Sequence, residues 1–148
     1  NFYALFGLAD CYRGMNQQFR SVEYWNKILE KDPSNKVILT RAGDAYRNMG
    51  DYEEAQQYYQ RALDIEFDVY AVLGLAMISK TQGKYDDAAV SLNRLIQADP
   101  KNYRLYLELA ECHVHKGDQQ KAIQTLQEFQ KLGIRNQLVS EMMDKLRG

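Results

Sequence analysis

The chain has 148 residues, a formal net charge of −1 and 45% hydrophobic residues. This balance gives no bulk electrostatic drive toward nucleic acid or anionic membrane, and no apolar run approaches the roughly 18 residues needed to span a bilayer. Two prolines and nine glycines leave no room for a disordered linker.

In chain order, the first predicted helix runs from about Phe2 to Arg13. Phe2, Tyr3, Leu5, Phe6 and Leu8 spread apolar surface over more than one of its faces. Either that surface once met a preceding element, the chain being a piece of something longer, or Tyr3 and Phe6 belong to a ligand groove. A second helix covers about Gln18 to Lys31, with Trp25 as core, and Asp32-Pro33-Ser34 ends it. In the third, Leu39, Ala42, Tyr46 and Met49 recur at helical spacing. Gly50 stops that helix, since glycine takes the left-handed conformation without strain. Asp51 followed by Glu54 reads as a capping box, and the fourth helix carries Tyr52, Ala55, Tyr59, Ala62 and Leu63 on one face. Helices over Val69–Thr81 and Tyr85–Ala98 flank Gly83. Asp99-Pro100-Lys101-Asn102 makes a turn. A further pair runs from Tyr103 to Lys116 and, after Gly117-Asp118, to about Leu132, where Gly133 ends it. The last stretch, Gln137 to Arg147, spaces Leu138, Met142 and Leu146 by four against a polar opposite face and reads as a solvating cap. On this reading the C-terminal end is natural and the N-terminal end is cut.

The chain repeats itself. Gly50, Gly83 and Gly117 are spaced by 33 and 34 residues, Ala55, Ala88 and Ala122 likewise, and Pro33 and Pro100 lie two periods apart. Such a period marks stacked helix pairs that bury their faces on one another. The repeats resemble the tetratricopeptide repeat (TPR), with its 34-residue pattern W-x2-L-G-x2-Y…A-x3-F…P. The second unit carries Leu39, Ala42, Gly43, Tyr46, Ala55 and Tyr59. The third offers Val72, Leu75, Ala76, Ser79, Ala88, Leu92 and Pro100, and the fourth Tyr106, Leu109, Ala110, His113, Ala122 and Leu126. The first offers Leu5, Leu8, Ala9, Tyr12, Ser21, Trp25 and Pro33, but lacks the inter-helix glycine in register, and Phe19 sits one place late. The resemblance implies an all-α fold, a right-handed α-solenoid of stacked antiparallel helix pairs (the TPR superhelix). Its repeats would span about 2–35, 36–68, 69–102 and 103–135, with a capping helix at 137–147, as one array within a longer chain.

No catalytic constellation is visible. Gly83-Lys84 lacks the rest of a phosphate loop, and neither G-x-S-x-G nor H-E-x-x-H occurs. His113 and His115, two apart on a helix, point about 200° from each other and cannot share a metal in the i, i+4 manner. His113 falls where the resemblance places an inward Tyr. The pairs Asp86-Asp87 and Glu53-Glu54 lie in helix first turns, where they complement the helix dipole. Cys11 and Cys112 occupy the same register in units one and four, too far apart for a disulfide. Both read as small buried apolar residues, a reactive thiol being the alternative. Reduced cysteines favour a cytoplasmic setting. Neither enzymatic activity nor a cofactor nor a metal is expected.

The resemblance places partner binding on the concave surface formed by the first helices. By register that surface takes Tyr3, Phe6, Asp10 and Arg13; then Val37, Thr40, Arg41, Asp44, Arg47 and Asn48; then Tyr70, Leu73, Met77 and Lys80; and last Arg104, Leu107, Glu108, Glu111 and His115. The two-carboxylate clamp of one subfamily, built on Lys and Asn, is matched by neither Phe6, Asp10, Arg41, Tyr70 and Gly74 nor Thr40, Asp44, Gly74, Arg104 and Glu108. What remains is an apolar centre of Tyr70, Leu73 and Met77 beside Arg41, Arg47 and Lys80, of residue types common at binding hot spots. The expected function is a non-enzymatic scaffold holding a peptide or protein segment, with acidic residues flanking its apolar anchor. The alternative is self-association through the apolar N-terminal helix.

Overall fold

The computed structural model describes residues 1–148 and is all-α, with nine helices: α1 (Phe2–Gly14), α2 (Gln18–Lys31), α3 (Lys36–Asn48), α4 (Tyr52–Ile65), α5 (Val69–Thr81), α6 (Tyr85–Ala98), α7 (Tyr103–His115), α8 (Gln119–Gln130) and α9 (Gln137–Arg147). None is long and apolar enough to cross a membrane. The chain divides inside α5 into two compact units, Asn1–Leu75 and Ala76–Gly148.

In the first unit α1 packs on α2, α2 on α3 and α3 on α4. Small residues at the crossings let the backbones close, and Ala9, Ala42, Ala55 and Ala62 are fully buried. Trp25 fills the space between α1 and α3 and is also fully buried; Phe6 meets its ring edge-on at 5.3 Å. The Ser21 hydroxyl, buried beside it, donates to the Ala9 carbonyl at 2.8 Å. Tyr59 of α4 lies in a slot made by two glycines. A Cβ at Gly43 would stand 2.7 Å from its ring, and one at Gly74 2.2 Å. Tyr12 stacks on Tyr24 and Tyr46 on Tyr58, at 5.7 and 5.1 Å. Both partners advance by 34 residues, so the same ring contact is built twice.

In the second unit α6 packs on α7, α7 on α8, and α9 on both α7 and α8. Tyr106, Ala110, Ala122, Leu126, Phe129, Val139 and Met143 form its core, with Leu107, Met142 and Leu146 partly buried against it. The inward stripe of α9 is therefore Val139–Met143 flanked by Met142 and Leu146, whereas Leu138 is exposed. Of the expected series, Met142 and Leu146 thus pack on the core and Leu138 does not.

The turns repeat as the helices do. Gly50, Gly83 and Gly117 all have φ between 75° and 82°. In the first repeat the same left-handed position is filled by Asn16, at φ 59°, a residue that tolerates it better than most. First helices start on a repeated side-chain cap. Asn1, Asn35, Asp68, Asn102 and Asn136 each accept from a backbone N–H of the following turn, at 2.9–3.2 Å. Three sequence expectations fail locally. Asp51 makes no side-chain cap bond, so the acids of α4's first turn act through the helix dipole alone. The eighth helix stops at Gln130, two residues short of Leu132. Cys11 is exposed while Cys112 is buried, and both are free. α7 is covered by α6, α8 and α9, whereas α1 has α2 as its main packing partner.

Candidate functional site

The first unit carries a cavity of about 650 Å³. Its walls come from α1 through Arg13, from α3 through Lys36, Val37, Thr40, Arg41 and Asp44, and from the α4–α5 turn through Phe67, Asp68, Val69 and Tyr70. Helical spacing explains the α3 wall, since Val37, Thr40, Arg41 and Asp44 follow at three and four. The opposite stripe, Ile38, Leu39, Ala42 and Ala45, is core. On the turn, Asp68 is buried. One of its oxygens accepts from the Thr40 hydroxyl and the other from the Tyr70 N–H, both at 2.9 Å. One carboxylate thus ties α3 to the start of α5 and holds Val69 and Tyr70 at the rim.

The rim is apolar: Tyr70 is 69% exposed and Val37 54%, with Phe67 and Val69 exposed beside them. Its charges are engaged internally. Arg13 reaches Asp10 at 2.6 Å. Arg41 lies over the rings of Phe6 and Trp25, at 5.5 and 5.9 Å, with Asp10 at 3.9 Å. Lys36 bonds Glu66 at 2.6 Å, and that bond raises the ammonium above its usual pKa. Asp44 accepts from the Tyr59 hydroxyl at 2.5 Å, and that oxygen accepts in turn from Arg47 Nε at 3.1 Å. Burial, then the Asp44 charge beside it, raises the Tyr59 hydroxyl well above its ordinary value.

Of the groove residues taken from the sequence, Arg13, Arg41, Asp44 and Tyr70 meet at this cavity, with Val37 and Thr40. Thr40 is buried rather than presented. Arg47 is held behind the wall by Tyr59, and Asn48 is exposed at the end of α3. Tyr3 is 83% exposed on α1, but Phe6 is packed between Phe2 and Trp25. Leu73 is half-buried. In the second unit Met77 is half-buried. Lys80 bridges Glu108 at 2.7 Å and Glu111 at 2.9 Å. Leu107 packs on the core, and Arg104 is exposed with its Nε on Tyr103. A cavity of about 730 Å³ also lies at the α8–α9 junction, around Gly133 to Ser140.

The register missed Lys36, Phe67, Asp68 and Val69. The sequence did hold a signal for two of them. Phe67 occupies the turn position that Pro33 and Pro100 fill in the neighbouring repeats, and Asp68 stands in register with Asn35 and Asn102.

Three family models, each described as tetratricopeptide repeat, match residues 3–35, 38–69 and 81–131. The chain belongs to the tetratricopeptide-repeat family. The TPR repeat-containing protein YpiA of Bacillus subtilis is 22% identical over 125 residues, 83% of this chain and 30% of that protein. The chain thus spans less than a third of that relative's length. Among solved structures, residues 41 to the end of MamA from Desulfovibrio magneticus match with a TM-score of 0.84 at 16% identity, over 98% of this chain and 82% of that one. YrrB, a TPR protein described as having an unusual peptide-binding site, matches with a TM-score of 0.71 at 18% identity, over 86% and 66%. These likenesses establish the TPR fold. TPR proteins act generally in protein–protein interaction, and the repeats are typically a non-enzymatic scaffold.

Proposed function

We propose that this chain is a non-enzymatic interaction scaffold that takes a peptide segment of a protein partner on the surface of its first helices, at the cavity between α1, α3 and the α4–α5 turn. The supporting observation is the rim. Val37 and Tyr70 are large, apolar and exposed side by side over a cavity whose floor is fixed by the Thr40–Asp68–Tyr70 bonds. Contiguous exposed apolar surface of this kind commonly marks a binding site, and Tyr is a frequent anchor. The likeness to YrrB adds weight through that protein's description alone. The reading is tested by selecting binders from a random dodecapeptide phage library on the wild-type protein and re-testing them on Val37→Asp. Loss of binding by a variant with an unchanged far-UV spectrum supports the site; retained binding refutes it.

A second reading is self-association through α1, favoured by the exposure of Phe2, Tyr3 and Leu8. Tyr3→Glu is the suitable probe, because Phe6 supports Trp25. A wild-type dimer in sedimentation velocity that Tyr3→Glu dissolves would support this reading; a wild-type monomer at 100 μM or so would dismiss it.

A further inference from the structure

We infer that the occupant of the first unit's cavity is a peptide segment anchored by an uncharged apolar side chain, with no acidic flank required; this rests on the peptide-binding reading above. The sequence suggests an acidic partner because Arg41, Arg47 and Lys80 read as available cations. In the structure each is engaged. Lys80 is held by two glutamates, and Arg47 by the Tyr59 hydroxyl and Asp44. Arg41 lies over two rings, with Asp10 at 3.9 Å and its Nε buried without a partner. The cavity's own further cations, Arg13 and Lys36, close on Asp10 and Glu66.

The cavity's cations are also offset by acids around them. The lining holds Arg13, Lys36 and Arg41 with Asp44 and Asp68, and Asp10 and Glu66 just outside it pair with Arg13 and Lys36. At Arg13 and Lys36 an acidic ligand would have to compete with carboxylates already at bonding distance, and a basic one would meet guanidinium and ammonium groups. An apolar side chain meets neither cost. It gains instead from covering Val37, Val69 and Tyr70, since removal of apolar area from water is the favourable term left.

The position of Phe67 points the same way. Two other repeat turns of the chain carry proline in this register, Pro33 and Pro100. Here the turn carries an aromatic ring that lines the cavity. Aromatic walls take apolar and aromatic anchors by edge and face contact. The charged frame then acts as a fixed, self-neutralised collar that orients the chain through hydrogen bonds without selecting a sign.

The experiment uses the dodecapeptides selected on the full chain. Their sequences are read for charge, and the dissociation constant of one labelled peptide is followed by fluorescence anisotropy from 50 to 500 mM NaCl. The inference predicts an aromatic or long aliphatic consensus without acidic enrichment. It also predicts less than about twofold change over the salt series, because screening has little net charge to act on, and at least tenfold weakening by Tyr70→Ala. Arg41→Gln should change affinity less than threefold. Acidic consensus peptides, with binding that falls steeply in salt and is lost in Arg41→Gln, would overturn the inference and leave the peptide site standing. A library that yields no binders, or binders indifferent to Val37→Asp and Tyr70→Ala, would remove the peptide site and this inference together.

Discussion

At the residue scale, Tyr59 shows most about how this array is put together. Its ring is fully buried between Gly43 and Gly74, and its hydroxyl, beside Gly74, donates to Asp44 and accepts from Arg47. The fit leaves no room for a methyl group on either glycine. Gly74→Ala should therefore cost roughly 1–3 kcal/mol as an overpacked core, measured by urea denaturation. In a Tyr59→Leu background the same change should cost clearly less, since the clash has gone. An equal cost in both backgrounds would show that Tyr59 is not the obstacle. His113 gives a pH-dependent counterpart in the second unit. Burial first, then the charges of Lys116 and Lys121, lower its pKa from 6.5, and its Nδ1 is buried without a partner. The unfolded chain thus takes up this proton more readily than the folded one. The stability contribution is complete above about pH 6.5 and is lost as pH falls from there through the lowered folded value. The melting temperature of the wild type should drop between pH 7.5 and 5.5 by more than that of His113→Gln; equal drops would put the dependence elsewhere.

At the element scale, the helices were legible because the apolar stripes and the glycine stops coincide. Val69–Thr81, Tyr85–Ala98 and Gln137–Arg147 form over the predicted residues. Packing faces were less legible. α9 offers Leu138 and Val139 on adjacent faces, and only its neighbours α7 and α8 decide between them. The first repeat's stop was obscured because Asn16 replaces glycine. The candidate site was half-visible: repeat register located Arg13, Arg41, Asp44 and Tyr70 on the first helices, but was blind to the α4–α5 turn, which departs from the repeat at Phe67. The turns also carry a prediction. Gly50→Val should destabilise by about 1–2 kcal/mol, because a left-handed conformation is costly for residues with a Cβ, whereas Asn16→Gly should be neutral or mildly stabilising. Chemical denaturation of the two variants checks both. A neutral Gly50→Val would mean that the turn relaxes out of positive φ.

At the scale of the whole molecule, two compact units each have their own core, and the candidate surface belongs to the first. In that unit exposed Val37, Phe67, Val69 and Tyr70 stand together at one rim, the surface proposed to take a partner. The most direct test is a 15N–1H NMR titration of the full chain with a library-selected dodecapeptide. The amides of Val37, Thr40 and residues 67–70 should shift first and furthest, while those of the α8–α9 junction stay in place. Shifts concentrated on Gly133 to Ser140, or on Phe2 to Leu8, would contradict the assignment of function to this cavity.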